Sequence, residues 1–200
     1  MAITLPAPAQ QPTTKERHEF GPGLLPELSI KLYKNPLAAL REAISNSFDA
    51  MSPYETRITP KIVIYTNVLP NGDITIEDWG TGIENYQDFK TISPGRKQVK
   101  DQISSYDKVN EKIIGKKGMG KLSFLNLSNE QEVEFFSNNE HLGMHIVMTM
   151  EGFTATYMNS HLALPHHGLK VIIKRAKQIS EARLIDMVSK TFAIGWKVNV

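Results

Sequence analysis

The chain has 200 residues, of which 40% are hydrophobic and 22% charged, and its formal net charge is +2. This composition predicts one globular domain with a sizeable core and excludes a fibrous or wholly disordered chain. The absence of cysteine excludes disulfides and thiolate zinc sites, and the lack of a long apolar run or secretory signal predicts a cytoplasmic protein with no membrane attachment.

Residues 1–26 contain five of the eleven prolines in the chain, which predicts a flexible N-terminal arm. Such an arm is either plain terminal disorder or a segment that orders against a partner subunit, and the sequence leaves both open. Residues 27–200 are predicted to form the single folded domain, which begins with a short amphipathic segment over 27–33.

The first long helix is predicted over Pro36–Met51, because Pro36 suits a first helical turn. Read with the helical period, Glu42, Asn46 and Asp49 share one polar face opposite an apolar one. Most amphipathic helices carry polar residues on their solvent side without further function. Assigning this polar stripe to an active site therefore depends on the glycine motifs downstream.

A β-hairpin is predicted over residues 61–76, where two strand-like runs flank the turn Pro70-Asn71-Gly72-Asp73. The second strand continues into Asp78, Gly80 and Gly82. A carboxylate followed by two glycines at the end of a buried strand is typical of a ligand-binding loop.

Residues 84–121 predict a long loop with one short helix near 86–92, and a loop of this length inside a compact domain commonly serves as a lid. Nine basic residues against five acidic ones give this segment a charge of +4. The excess suits an anionic ligand such as a polyphosphate or a nucleic acid. A loop kept soluble by lysines explains the charge equally well.

The loop ends at Gly115, Gly118, Gly120 and Lys121, just before a predicted helix start. Glycines in this position allow backbone N–H groups to converge on a phosphate, and the helix dipole favours the negative charge. The spacing matches neither the Walker loop nor the dinucleotide-binding fingerprint.

The remainder predicts four strands and a closing helix, over 132–137, 144–150, 153–158, 169–174 and 180–192. Ser180 is the predicted N-cap of that helix. The histidines lack the spacing and setting of zinc ligands, so structural or surface roles are predicted for all six.

Three motifs together carry a resemblance to a known family. In order and spacing, they resemble the signature of the GHKL ATPase superfamily, which includes gyrase B, the ninety-kilodalton heat-shock chaperones, MutL, MORC proteins and histidine kinases. The resemblance spans roughly residues 27–174. The motifs are Glu42-x-x-x-Asn46-x-x-Asp49-Ala50, Asp78-x-Gly80-x-Gly82 and Gly115-x-x-Gly118-x-Gly120.

The resemblance implies the Bergerat fold, an α/β (α+β) two-layer sandwich in which a mixed, largely antiparallel sheet is covered on one face by helices. ATP would lie between the helices and a mobile lid over about residues 84–121. The form of the first motif resembles the chaperone, MORC and topoisomerase VI B branches more than the histidine kinases. The sequence does not choose among those three.

The resemblance also implies roles for the polar residues of the first helix and the strand end. Glu42 resembles the general base that activates the attacking water, and Asn46 the magnesium ligand. Asp49 is expected to support the site by hydrogen bonding, or to be only a carboxylate on the helix surface. Asp78 resembles the reader of the adenine amino group.

The glycines complete the implied ATP site. Gly80 and Gly82 would let the backbone approach the base, while Gly115, Gly118 and Gly120 would wrap the phosphates. Lys121 would add positive charge there, or would simply be solvated.

One position departs from the family pattern. The later strand of family members usually begins Gly-Thr, whose hydroxyl helps to fix the adenine-binding aspartate, but here Leu169 follows Gly168. This departure predicts either a local shift in the alignment or an adenine site without that hydroxyl.

The function implied by the resemblance is magnesium-dependent ATP binding with slow hydrolysis. Lid closure would be coupled to an ATP-dependent homodimer or to partner contacts, with a protein client and DNA both left open. In many members a lysine from a following domain contacts the terminal phosphate. Because the chain ends at Val200, before such a domain, weak activity is expected in isolation.

Two alternatives remain open. The first is a module that binds nucleotide as a switch without hydrolysing it. The second is a histidine-kinase catalytic domain, which fits less well because of Asp49-Ala50 and because no helix with a phospho-accepting histidine is evident upstream.

Overall fold

The computed structural model of the chain describes residues 14–20, 35–51, 61–66, 72–90, 120–139 and 141–191. In these ranges seven strands form one sheet: β1 (Lys15–Glu19), β2 (Ile62–Tyr65), β3 (Ile74–Asp78), β4 (Val133–Asn138), β5 (Gly143–Met148), β6 (Gly152–Met158) and β7 (Gly168–Ile173). The helices are α1 (Pro36–Met51), α2 (Tyr86–Lys90), α3 (Ser123–Leu127), α4 (Ser160–Ala163) and α5 (Glu181–Thr191), and a 3₁₀ turn, Gly120–Leu122, leads directly into α3.

The strand order across the sheet is β1-β6-β5-β4-β7-β3-β2, and the six neighbouring pairs of described strands are all antiparallel. The sequence analysis allowed a mixed sheet. Strands β4, β5 and β6 follow one another with short connections, which permit only antiparallel pairing. The predicted α/β sandwich is confirmed, and the predicted hairpin is the β2–β3 pair.

The core lies between one face of this sheet and the helices. On β3 the side chains alternate, so that Ile74, Ile76 and Asp78 are buried while the residues between them are partly exposed. Helix α1 packs Leu40 and Ile44, which are almost fully buried, into the same core. This arrangement brings α1 beside the end of β3, where the polar residues of both elements meet.

Helix α1 begins as predicted because its first turn is capped. The side-chain oxygen of Asn35 accepts a hydrogen bond from the backbone N–H of Leu37 at 3.0 Å, which satisfies a donor that has no partner inside the helix. Pro36 follows at the first helical position and needs no such partner. The predicted bounds of this helix are therefore confirmed.

Part of the predicted flexible arm is instead a strand of the sheet. Residues Lys15–Glu19 form β1, which pairs with β6 from Lys15 opposite Thr156 to Glu19 opposite Gly152. The prediction of a flexible arm is wrong for these five residues. Their side chains are mostly charged and show no strand pattern, but their backbone pairs with β6 at the edge of the sheet. Other parts of the arm, and the predicted segment 27–33, lie outside the described residues.

The remaining predictions agree with the structure to within about two residues. The four later strands are β4 to β7, and the short helix expected near 86–92 is α2, Tyr86–Lys90. The closing helix is α5. In the ranges that the structure describes, no helix has the length and apolar character needed to cross a membrane.

Candidate functional site

A cavity of about 310 Å³ lies between α1, the end of β3, α2 and the 3₁₀ turn. This volume is at the lower end of the range for small-molecule sites, which are typically apolar with a few placed polar groups. The cavity has that character, and its lining is Ala43, Asn46, Ser47, Ala50, Asp78, Thr81, Gly82, Ile83, Glu84, Asn85, Asp88, Phe89, Gly120, Lys121, Phe124, Phe135, Leu169 and Val171.

Helix α1 contributes one stripe to this cavity. Ala43, Asn46, Ser47 and Ala50 follow one another at helical spacing and all line it. Asn46 is thus on the cavity wall, as the sequence predicts, and two small alanines beside it leave room for a ligand. Glu42 and Asp49, predicted on the same stripe, flank the wall and do not belong to the lining.

Asp78 is the buried charged group of the site, with 1% of its surface exposed. One carboxylate oxygen, Oδ1, accepts hydrogen bonds from the backbone N–H groups of Gly80 at 3.0 Å and Leu169 at 3.1 Å. The hydroxyl of Ser47 also hydrogen-bonds this carboxyl group. Leu169 therefore supplies a backbone donor to Asp78, although it has no hydroxyl.

Burial raises the pKa of Asp78 above its ordinary carboxyl value, since the charged form loses its hydration. Hydrogen bonds from Gly80, Ser47 and Leu169, and the charge of His166, act in the opposite direction. Burial thus destabilises the charged form of this carboxyl group, and the hydrogen-bond donors around it stabilise that form. Groups of this kind cluster at functional sites.

The loop after β3 is packed tightly onto its neighbours. A Cβ on Gly80 would lie 2.9 Å from the Cβ and the carbonyl oxygen of Ala50, and the N–H of Thr81 donates to that oxygen at 3.1 Å. Gly82 has a φ of +68°, and a Cβ there would lie 2.8 Å from the carbonyl oxygen of Asn138. Both glycines of the motif are required by backbone approach.

Gly120 borders the cavity from the other side and contacts Glu42. A Cβ on Gly120 would overlap the Glu42 side chain and lie 2.6 Å from its Cδ. The carbonyl oxygen of Gly120 accepts a hydrogen bond from the hydroxyl of Ser123, which holds the turn at the start of α3. The last glycine of the third motif is thereby brought against the predicted general base.

Lys121 also lines the cavity, and its Nζ lies 5.2 Å from the centroid of the Phe89 ring. A cation at this distance from an aromatic face is attracted to it. Glu84 and Asp88 line the same side of the cavity. Segment 91–119, which includes Gly115 and Gly118, lies outside the described residues. The residues just before and just after this segment both line the cavity.

The donor set suits magnesium only when the metal arrives with phosphate. Within the described ranges, no group of three or more His, Asp or Glu side chains could hold a metal ion. Asn46 offers an amide oxygen on the cavity wall, and a magnesium ion there would take most of its ligands from phosphate and water. Magnesium commonly binds in that way.

The structure therefore brings five of the predicted residues into one lining: Asn46, Asp78, Gly82, Gly120 and Lys121. Glu42, Asp49 and Gly80 lie outside the lining. Sequence reasoning did not single out Ser47, a polar residue next to Asn46 on the inward side of α1. It could have been found from its helical spacing, because it lies four residues after Ala43 and three before Ala50 on the same face of α1.

Comparison with known proteins agrees with this geometry. The sequence model of a family described as histidine kinase-, DNA gyrase B-, and HSP90-like ATPase matches residues 33–164, about two thirds of the chain. The match contains α1, the β3 strand end and the 3₁₀ turn. No curated protein matches the chain significantly.

Proposed function

Because the chain belongs to the histidine kinase-, DNA gyrase B- and HSP90-like ATPase family, we propose that it binds ATP with magnesium and hydrolyses it slowly. Family membership confirms the resemblance to the GHKL superfamily and supports ATP as the ligand. The branch of the superfamily stays a prediction. The observation that carries the proposal is Asp78, a buried carboxyl group held by three donors in the wall of a largely apolar cavity.

In this proposal Asp78 recognises the adenine base. An ionised carboxylate only accepts hydrogen bonds, so it suits the exocyclic amino group of adenine and rejects a carbonyl oxygen at the same position. The apolar side chains of Ile83, Leu169 and Val171 line the same cavity and suit the faces of a flat heterocycle.

The triphosphate would extend from the base toward Asn46 and Lys121. When bound, magnesium would neutralise phosphate charge and fix the geometry of the phosphates. Asn46 would hold the ion through its amide oxygen, and Lys121 would add a positive charge from the far side of the cavity. Gly115, Gly118 and Gly120 would wrap the phosphates through their backbone N–H groups.

Glu42 is proposed as the general base. It lies one helical turn before Asn46, and its carboxylate would activate a water beside the terminal phosphate. Asp49, one turn after Asn46, would support the site by hydrogen bonding.

Lid closure over ATP is proposed to change contacts with a second copy of the chain or with another partner. Supporting this, Glu84, Asp88 and Phe89 line the cavity before the segment 91–119, and Gly120 and Lys121 line it after that segment. A nucleotide in the cavity would touch both ends of the lid.

The test is magnesium-dependent phosphate release by the wild type and by Glu42→Ala. We expect Glu42→Ala to lower the rate by about 100-fold or more, the usual effect of losing a general base, while ATP still binds. Chelation of magnesium should abolish release from the wild type. Equal rates for the two proteins would remove Glu42 as the base.

The second candidate is a nucleotide-dependent switch without hydrolysis, which is favoured by the position of Glu42 outside the cavity lining. Calorimetric titration with ATP and with a non-hydrolysable analogue separates the two functions. Tight binding of both without phosphate release would support the switch. Failure of both to bind in the presence of magnesium would overturn the proposed function altogether.

A further inference from the structure

His166 holds both neighbours of Asp78 in sequence. Its Nε2 lies 2.7 Å from Oε1 of Glu77, and its ring stacks on the Trp79 indole with centroids 4.1 Å apart and planes 10° apart. Alternate residues of a strand point to opposite faces of the sheet. His166 therefore contacts the end of β3 on the face of the sheet opposite to the Asp78 carboxylate.

Both ring nitrogens of His166 face acceptors. Nδ1 lies 2.6 Å from the carbonyl oxygen of His167, which can only accept, so Nδ1 carries a hydrogen. An ionised Glu77 is likewise only an acceptor. A ring with hydrogens on both nitrogens would donate to both acceptors, and the contact with Glu77 leaves 21% of the histidine side chain and 13% of the glutamate side chain exposed.

The charges around this cluster come from three elements. The Nζ of Lys61, just before β2, lies 4.5 Å from the centroid of the Trp79 ring. Lys170 is opposite Glu77 in the register of β7 with β3. Among the described residues, the titratable or charged groups near His166 on these elements and its own loop are therefore Glu77, Lys61, Lys170 and His167, with the Asp78 carboxyl on the opposite face of β3.

The same loop sets the position of a donor to Asp78. Gly168, two residues after His166, has a φ of +128°, and a Cβ there would lie 2.8 Å from the carbonyl carbon of Asp78 and 3.0 Å from the Cα of Trp79. Backbone thus packs on backbone where β7 begins. The next N–H, that of Leu169, donates to Asp78 Oδ1 at 3.1 Å.

We propose that His166 is a positioning residue for nucleobase recognition, which keeps the Leu169 N–H on Asp78 by tying Glu77 and Trp79 to the start of β7. The inference rests on the proposed function, because it concerns how the base-reading carboxyl is held. The charge of His166 also lowers the pKa of Asp78 against the effect of burial, which favours the acceptor form.

The test compares ATP affinity in the wild type, His166→Ala, Glu77→Gln and the control His161→Ala, which removes an exposed histidine of α4. His166→Ala should raise the Kd for ATP by about fivefold, since a positioned hydrogen bond contributes about 1 kcal/mol. Glu77→Gln should act in the same direction, and His161→Ala should stay within about twofold. If His166→Ala does not fold, the same comparisons made on Glu77→Gln decide.

Base selectivity and pH separate positioning from a general structural role. The preference for ATP over ITP, which lacks the amino group, should shrink in His166→Ala. The pH below which ATP binding weakens should rise, because Asp78 loses a neighbouring positive charge. His166→Arg should restore the wild-type pH profile, since it keeps the charge and a flat group to stack on Trp79.

Several results would overturn the inference. One is a His166→Ala protein, folded by circular dichroism, that keeps the wild-type ATP affinity and ATP-to-ITP ratio. Equal losses for ATP and ITP with an unchanged pH profile would also overturn it. If the wild type does not bind ATP, the proposed function fails and this inference fails with it. Wild-type binding together with an unaffected His166→Ala would defeat the inference alone.

Discussion

The side chain of Glu42 fills the space in which residue 120 would otherwise carry a Cβ. The hypothetical Cβ would lie 2.6 Å from the Glu42 Cδ, far inside van der Waals contact. Glycine at position 120 and glutamate at position 42 therefore form one packing unit. This contact explains why the last position of the third glycine motif is a glycine, whether or not the motif also contacts phosphate.

Gly120→Ala should reduce ATP turnover more than ATP affinity, because the new methyl group must displace Glu42. We expect the rate of phosphate release to fall by about tenfold or more, since misplacement of a catalytic group by about 1 Å is costly. The measurement is phosphate release alongside calorimetric ATP titration.

A double-mutant cycle provides the control for this contact. In a Glu42→Ala background the carboxylate is gone, so adding Gly120→Ala should cause little further loss of turnover. If Gly120→Ala lowers the rate by the same factor in both backgrounds, the two residues do not act through their contact.

Asp78→Asn should abolish adenine recognition while the protein remains folded. The amide still offers one oxygen to the N–H groups of Gly80 and Leu169, but its NH₂ group cannot accept from the amino group of adenine. A hydrogen bond to a charged group contributes about 1.5–3 kcal/mol, so we expect the Kd for ATP to rise by at least tenfold. Unchanged affinity would exclude Asp78 as the base-reading group.

The stability of the same variant should depend on pH in a defined direction. Burial raises the pKa of Asp78 above 3.8, so the folded protein holds this proton more tightly than the unfolded chain does. The wild type therefore loses stability relative to Asp78→Asn as the pH rises from below 3.8 through the raised value. Urea unfolding at several pH values measures this difference, and a constant difference would contradict the raised pKa.

Ser47→Ala should weaken ATP binding because Asp78 loses its side-chain donor. We expect a loss of about threefold to tenfold, corresponding to about 1 kcal/mol. Ser45→Ala is the matched control, since Ser45 is also buried on α1 but does not line the cavity. Equal effects of the two substitutions on ATP affinity would show that Ser47 acts only through the packing of the helix.

Leu169→Thr tests whether the departure from the usual Gly-Thr sequence weakens the site. Asp78 already receives the N–H of Leu169, so the added hydroxyl should change the Kd for ATP by less than about threefold. A gain of tenfold or more would mean that the hydroxyl is a missing part of the adenine site.

Most of the fold follows from hydrophobic periodicity in the sequence. The cap at Asn35 and the alternation in β3 each leave a local pattern, and α1 and the hairpin were predicted from such patterns. Strand β1 left none, because its stability comes from backbone pairing with β6, more than 130 residues later in the register from Lys15 to Glu19. Local propensity does not record such a partner.

The sequence predicts which face of α1 carries the polar residues of the candidate site, but it does not predict the individual contacts that those residues make. The helical period put Asn46 and Glu42 on one stripe of α1, of which Asn46 lines the cavity and Glu42 does not. The contact of Glu42 with Gly120 and the hydrogen bond between Ser47 and Asp78 become visible only in the structure. The contribution of Leu169 was missed for a different reason. Motif patterns are patterns of side chains and do not show which backbone N–H groups donate hydrogen bonds, and Leu169 contributes its backbone N–H.

The carboxyl group of Asp78 is completed by segments that are far apart along the chain. Ser47 precedes it by about thirty residues, whereas Leu169 follows it by 91. Strand β7 is the last of the described strands in the chain, so it can pair with β3 only after the residues between them have been synthesised. A chain still being synthesised would thus carry both glycine motifs and α1 before it could hold the base, so nucleotide affinity would report that the last strand of the sheet is in place.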